Sequence, residues 1–384
     1  MRGSWPLIFA LWGAGLGAAG QYAKISVIYD LLGAAYPDGG VLLGWLVSAV
    51  GMVGIVLGVV AALLVARIRY RRALLSALWL GAILSAVQAL LPPLPVMLGL
   101  RLIEGVSHLA IVVAAPTLIA QIATDRQRGL ALTLWGTFFG VAFAVMAWGG
   151  RPLAIFAGLP TLFAAHAVYM AAFALYLAPR LVALPDRNNS PPMSVRVILR
   201  THAIIYRSPS IAAPAIGWLF YTFCFVSILT VLPPYLPDQI RGAVMGAMPL
   251  VSIAVSMTLG VGLLRLFRAV EVVIFGFGFS ALAVFWLWAS PASPAACLAL
   301  AAAMGLIQGS SFASVAQLNT TPETQAQANG AMAQMGNLGN TLGTPVMALA
   351  LAQWGYVSLP VLAGAAFLMG LTLHLFFDAC RRNA

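Results

Sequence analysis

Apolar residues fall along the chain in about a dozen stretches of near 20 residues, separated by short patches such as Pro92-Pro93-Leu94-Pro95 and Ser290-Pro291-Ala292-Ser293-Pro294. A helix rises about 1.5 Å per residue, so roughly 20 residues cross the ~30 Å hydrocarbon core of a bilayer. No soluble domain has an interior that hides a dozen such segments. The pattern predicts an all-α polytopic membrane protein with twelve spans beginning near Pro6, Val41, Ala73, Leu94, Gly129, Leu153, Ile211, Ala243, Val270, Ala295, Ala326 and Val357. Helices are the expected element because lipid offers the backbone no hydrogen-bonding partner.

The arginines orient these spans. Arg67, Arg69, Arg71 and Arg72 follow span two, and Arg126 and Arg128 follow span four. Arg180, Arg187, Arg196, Arg200 and Arg207 follow span six, Arg265 and Arg268 follow span eight, and Arg2, Arg381 and Arg382 lie at the ends. All fall on one side, which the positive-inside bias makes cytoplasmic, with both termini there. Only Arg151 and Arg241 fall opposite. Cleavage of the first apolar run as a secretory leader is disfavoured, since it would leave an odd number of spans and break the alternation.

The longest joint divides the chain into a six-helix bundle over residues 1–180, a cytoplasmic linker over 181–209 and a second six-helix bundle over 210–384. Pro185 to Pro192 reads as a flexible stretch, and Val195 to Tyr206 as a basic amphipathic helix lying near anionic headgroups.

Composition narrows the function. The chain has 384 residues, 62% hydrophobic and 8% charged, so no separate soluble domain fits. Its net charge of +11 sits in alternate joints and reports orientation, not a nucleic-acid partner. Cys224, Cys297 and Cys380 have neither disulfide nor metal-ligand spacing. No phosphate loop or metal set is present, so no cofactor, metal or direct ATP drive is expected.

Ionisable residues inside spans cost roughly 2.5 to 3.5 kcal/mol each on insertion scales and usually face a bundle interior or a wet cavity. Lys24 in span one and Arg101, Glu104 and His108 in span four are such residues, the last three at i, i+3 and i+7 on one helical face. At the helical rise Lys24 and Glu104 lie roughly 12 and 15 Å from the outer surface, so the two can pair. Span four carries Arg101-Leu102-Ile103-Glu104-Gly105-Val106-Ser107 and span ten carries Gly305-Leu306-Ile307-Gln308-Gly309-Ser310-Ser311. Leu, Ile, Gly and Ser recur in register, with Gln308 opposite Glu104, as in a duplicated transporter with its site at the repeat interface.

The six-plus-six layout, the long central joint and the basic loop after span two resemble the major facilitator superfamily. Its loop pattern Gly-x-Leu-x-Asp-Arg-x-Gly-Arg-Lys is met in part by Leu64 and Arg67, with Ala66 at the acidic place and Arg69 at the second glycine. Its Arg-x-x-Gln-Gly is met by Arg101 and Gly105, with Glu104 where glutamine is commoner. Its Gly-x-x-x-Gly-Pro is met by Gly136 and Gly140, with Val141 for proline. The resemblance implies that spans one, four, seven and ten line a central path and that Arg67 and Arg71 belong to a cytoplasmic gate loop.

The expectation is a monomeric secondary transporter of a bacterial inner membrane, working by alternating access with a small-molecule partner and protons. Glu104 and His108 are the expected proton-coupling residues, imidazole being the group that titrates near neutral pH. Lys24 and Arg101 outnumber Glu104, so the expected solute is anionic or zwitterionic. Gln21, Tyr22, Tyr221, Thr222, Gln308, Ser311 and Asn337 are further candidate contacts, Asn337 from a polar stripe with Gln334, Thr341 and Thr344. An efflux pump for hydrophobic compounds or a secreted metabolite, and a transport-inactive scaffold or sensor, remain as alternatives. An intramembrane enzyme is disfavoured because His166, His202 and His374 fall on separate segments, with no nucleophile or metal set beside Glu104.

Overall fold

The computed structural model describes residues 3–181 and 195–382. Arg2, Arg187 and the stretch Pro185 to Pro192 lie outside the described residues, as does the side chain of Arg196.

The described residues form helices and no strands. The main helices are α1 (Trp5–Ser26), α2 (Leu42–Leu57), α3 (Tyr70–Gln88), α4 (Leu94–Ile122), α5 (Phe138–Ala157) and α6 (Leu159–Leu177). They continue with α7 (Pro209–Val231), α8 (Asp238–Leu263), α9 (Ala269–Ala289), α10 (Pro294–Leu318), α11 (Pro322–Trp354) and α12 (Ser358–Arg382). Ala61–Ile68 extends α2 after a turn, Asp125–Gly136 precedes α5, and Val195–Arg207 precedes α7.

Among the described residues nine helices, α3 to α10 and α12, are long and apolar enough to span a membrane. The other three depart for visible reasons. Gly, Ala, Gln21 and Lys24 dilute α1; a turn shortens α2 at Leu57; and Gln, Asn and Thr interrupt α11.

Local chemistry sets the ends. Proline opens α7, α10 and α11, where the missing N–H costs no intrahelical bond. Ser293 caps α10 by accepting from the Ala296 amide at 3.3 Å. The boundary of span six differs from the expected start at Leu153. Arg151–Ala157 continues α5, and the break comes at Gly158, whose φ of 86° glycine adopts without strain.

The chain folds as two compact units, Met1–Gly54 with Val60–Pro192 and Ile55–Val59 with Met193–Ala384. Within the first, α1 packs on α4, α5 and α6, and α3 packs on α4 and α6. Within the second, α7 packs on α10, α11 and α12, and α9 packs on α10 and α12. Each unit thus repeats the same neighbour pairs.

The first unit's core is a layer of Leu, Ile and Ala from α1, α3, α4 and α6, including Leu11, Leu78, Ile111 and Leu118. In lipid such helices associate by close packing, so small residues mark the tightest crossings. Gly105 of α4 lies against the Val50 backbone of α2, and Gly305 of α10 against the Ser252 backbone of α8. A Cβ at either place would collide with a carbonyl oxygen.

Candidate functional site: a buried ion cluster

The i, i+3 spacing on α4 sets Arg101 and Glu104 side by side, and both face the interior of the first unit with no solvent exposure. Lys24, in the last turn of α1, is equally enclosed. Its Nζ donates to Glu104 Oε1 at 2.6 Å and to Ser85 Oγ on α3 at 2.7 Å. The Arg101 guanidinium pairs with Glu104 Oε2, which also accepts from Gln88 Nε2 at 2.8 Å. Arg101 Nε donates to the Leu46 carbonyl of α2 at 2.6 Å.

Both carboxylate oxygens are therefore occupied by donors. A lone charge at such a place would be costly, whereas opposite charges with their hydrogen bonds filled persist. The cluster holds two cations and one anion. Its surplus positive charge is met by the Leu46 carbonyl and by the Phe163 ring, whose centre lies 5.6 Å from Lys24 Nζ. Every one of these partners belongs to the first unit.

His166 of α6 joins the cluster. Its Nδ1 lies 2.8 Å from Ser85 Oγ and 3.4 Å from Lys24 Nζ, and its Nε2 lies 2.9 Å from the Gly17 carbonyl. His108 does not join it. Its Nδ1 lies 2.9 Å from the Ala18 carbonyl, and its ring stands edge-on to Tyr22 at 5.1 Å. One helical turn beyond Glu104, His108 is rotated onto the backbone of α1.

Ser85, Gln88 and His166 escaped sequence reasoning. His166 alone left a signal, as an ionisable residue in the middle of an apolar run. Ser85 and Gln88 are unremarkable until the packing of α3 on α4 is known.

The remaining candidates are dispersed. Gln21 Nε2 donates to Ser107 Oγ at 2.9 Å, and among the described residues the buried Tyr22 hydroxyl has no hydrogen-bond partner. In the second unit Tyr221 stacks on Trp218 and Phe225, with centroids 4.5 and 5.5 Å apart. Thr222 donates back to the Trp218 carbonyl at 2.9 Å, and Gln308 accepts from Ser252 Oγ at 3.4 Å. Ser311 is buried, its hydroxyl without a partner among the described residues, and Asn337 donates to the Ala333 carbonyl at 2.8 Å. Gln334, from the same stripe, accepts from Tyr206 of Val195–Arg207 at 2.7 Å. A small apolar cavity lies between α7, α8 and α10, bounded by Phe225, Leu229, Met248 and Met304.

Of the two basic loop residues, Arg67 is exposed and Arg71 donates to the Ala178 carbonyl at 2.8 Å. A second ionic group, unforeseen in the sequence, gathers at the end of α12. There Asp378 meets Arg382, Arg381 and Arg268 at 2.7, 3.3 and 3.6 Å. Among the described residues no His, Cys, Asp and Glu side chains group as a metal site.

A family model described as Major Facilitator Superfamily matches residues 7–344. No curated protein matches the chain.

Proposed function

The chain belongs to the Major Facilitator Superfamily of membrane transporters, and from that premise we propose that it is a proton-coupled secondary transporter for a small organic anion or zwitterion. In this reading the protein sits in a bacterial inner membrane and works by alternating access between two six-helix bundles. The buried cluster of Lys24, Arg101 and Glu104 is its coupling element. Because these side chains have no exposure here, cargo meets them, or acts through them, in another conformation.

The observation that carries the reading is Glu104, a carboxylate within a span held by two cations of which α1 supplies one and α4 the other. A movement of α1 against α4 changes the charge around Glu104, and with it the affinity of the cluster for a proton. The excess of cations over carboxylate favours a cargo with negative charge. The aromatic row Trp218, Tyr221 and Phe225 beside an apolar cavity favours a cargo with an apolar portion, and is the feature that supports export of hydrophobic compounds.

A rival reading is a structural clamp, favoured by the complete enclosure of the cluster and the filling of both carboxylate oxygens. Against it, the second unit assembles the same helix pairs with Gly305 and Gln308 at the places of Arg101 and Glu104. The packing does not require ions.

The test begins with a thermal-shift screen of organic anions on detergent-purified protein, to find a cargo. Uptake of that cargo into proteoliposomes under an imposed pH gradient is then measured for wild type and Glu104→Gln. Loss of concentrative uptake with exchange retained supports coupling. Undiminished gradient-driven uptake per folded molecule, with only a lowered melting temperature, supports the clamp.

A further inference from the structure

A coupled proton needs an atom that takes it and gives it back. Glu104 is poorly placed to be that atom in this conformation, because Lys24, Arg101 and Gln88 occupy both of its oxygens. Arg101 keeps its proton throughout. The remaining members of the cluster are Lys24, Ser85 and His166, and their hydrogens can be assigned from their partners.

The Gly17 carbonyl only accepts, so His166 Nε2 carries the hydrogen of that 2.9 Å bond. In the neutral ring Nδ1 is then a lone pair, and the Ser85 hydroxyl at 2.8 Å donates to it. Ser85 Oγ in turn accepts from Lys24 Nζ at 2.7 Å. The hydrogens run in one direction, from Lys24 through Ser85 and His166 to the Gly17 carbonyl.

We propose that Lys24 and His166 share one exchangeable proton through Ser85 Oγ, held on Lys24 in this conformation and passed to His166 when the hold of Glu104 on Lys24 is released. In the transfer an Nζ–H bond breaks as an Oγ–H bond forms, and the former Oγ–H bond breaks as an Nδ1–H bond forms. The ammonium becomes an amine and the imidazole an imidazolium, with no other reactant. Both sites cannot be cationic together, since Nζ and Nδ1 lie 3.4 Å apart away from water.

The charged and titratable groups around His166 are Lys24 from α1 and Arg101 and Glu104 from α4, with the Ser85 hydroxyl from α3. His108 has no part in this path, its Nδ1 being committed to the Ala18 carbonyl at 2.9 Å.

The use of the shared proton in transport rests on the coupling reading above, but the sharing is testable without any cargo. Full-length protein with 15N-labelled histidine is placed in lipid nanodiscs, and the His166 signals are identified by their loss in His166→Gln. In wild type the ring is expected neutral with the hydrogen on Nε2 at about pH 6 and at about pH 7.5. In Lys24→Met the doubly protonated ring is expected at about pH 6. In Ser85→Ala the Nδ1 signal is expected to move downfield as its donor is lost.

A wild-type ring with its hydrogen on Nδ1 overturns the proposal, and needs no variant to be seen. A ring that stays neutral in Lys24→Met, or an unmoved Nδ1 signal in Ser85→Ala, also overturns it, even where Glu104→Gln uncouples transport. Conversely, a coupled Glu104→Gln carrier leaves the proton sharing intact and removes only its proposed use.

Discussion

In α4 the Arg101 side chain reaches the Leu46 carbonyl of α2 and pairs with Glu104 one turn on. At the matching places of α10 stand Gly305, pressed against the Ser252 backbone of α8, and Gln308, which accepts from Ser252 Oγ at 3.4 Å. Both related crossings bring a glycine against a facing backbone, Gly105 on Val50 and Gly305 on Ser252, but the first adds an ion group at places where the second has uncharged residues. The second crossing is the simpler one, since close packing of small residues is the usual means of joining helices in lipid. A fold that makes this crossing without charge in one unit does not need charge for it in the other. On the reading proposed above, the ions of the first unit serve coupling and not the crossing itself.

The comparison breaks most readily at Glu104. Glu104→Ala leaves Lys24 and Arg101 enclosed without their carboxylate and is expected to cost about 3 to 5 kcal/mol, read from denaturant unfolding in micelles. Gln308→Ala, its counterpart, is expected to cost only about 1 kcal/mol in the same assay. Equal losses would mean that the two crossings do not differ in the way described.

Next in size is the glycine crossing. Gly305→Ala places a Cβ against the Ser252 carbonyl and is expected to cost about 1 to 3 kcal/mol, because the backbones must separate to admit it. A neutral effect on unfolding would show that α8 and α10 are not held at their observed approach.

The comparison is sharpened by removing all three charges together. The variant Lys24→Met, Arg101→Met, Glu104→Leu is expected to stay within about 2 kcal/mol of wild type, since an apolar replacement of a whole buried ion group is often neutral. It should nonetheless lose gradient-driven uptake. A triple variant that unfolds as readily as Glu104→Ala would favour the structural clamp.

The smallest effect is expected at the end of α12. Arg268 and Arg382 are about half and two-thirds exposed, so Asp378→Asn should cost about 1 kcal/mol or less, measured as the change in melting temperature. Added salt should shrink the difference.

Much of the architecture was legible because the physics of lipid is written directly into composition. Apolar runs of the right length read as spans, and the recurrence of Leu-Ile-x-Gly-x-Ser in spans four and ten falls on helices that hold matching places among the repeated neighbour pairs. The start of span six was not legible, because apolar residues continue through Arg151–Ala157 and only the conformation at Gly158 marks the break. Lys24 and Glu104 meet as their residue-counted depths suggest. Ser85 and Gln88 could not be read, since their role follows from which helices are neighbours and not from their own chemistry. His108 illustrates the same limit in reverse. Helical spacing sets it near Glu104 along the chain, but the turn between them directs the ring to the Ala18 carbonyl, while His166 arrives from a different helix.

The central claim is that the charges around Glu104 couple a proton to the movement of cargo. The most direct measurement is accumulation of a screened organic anion in proteoliposomes under an imposed pH gradient, comparing wild type with Glu104→Gln at matched amounts of folded protein. The account predicts that the variant fails to accumulate cargo against its gradient while still exchanging labelled for unlabelled cargo. Accumulation by Glu104→Gln at the wild-type level would contradict it.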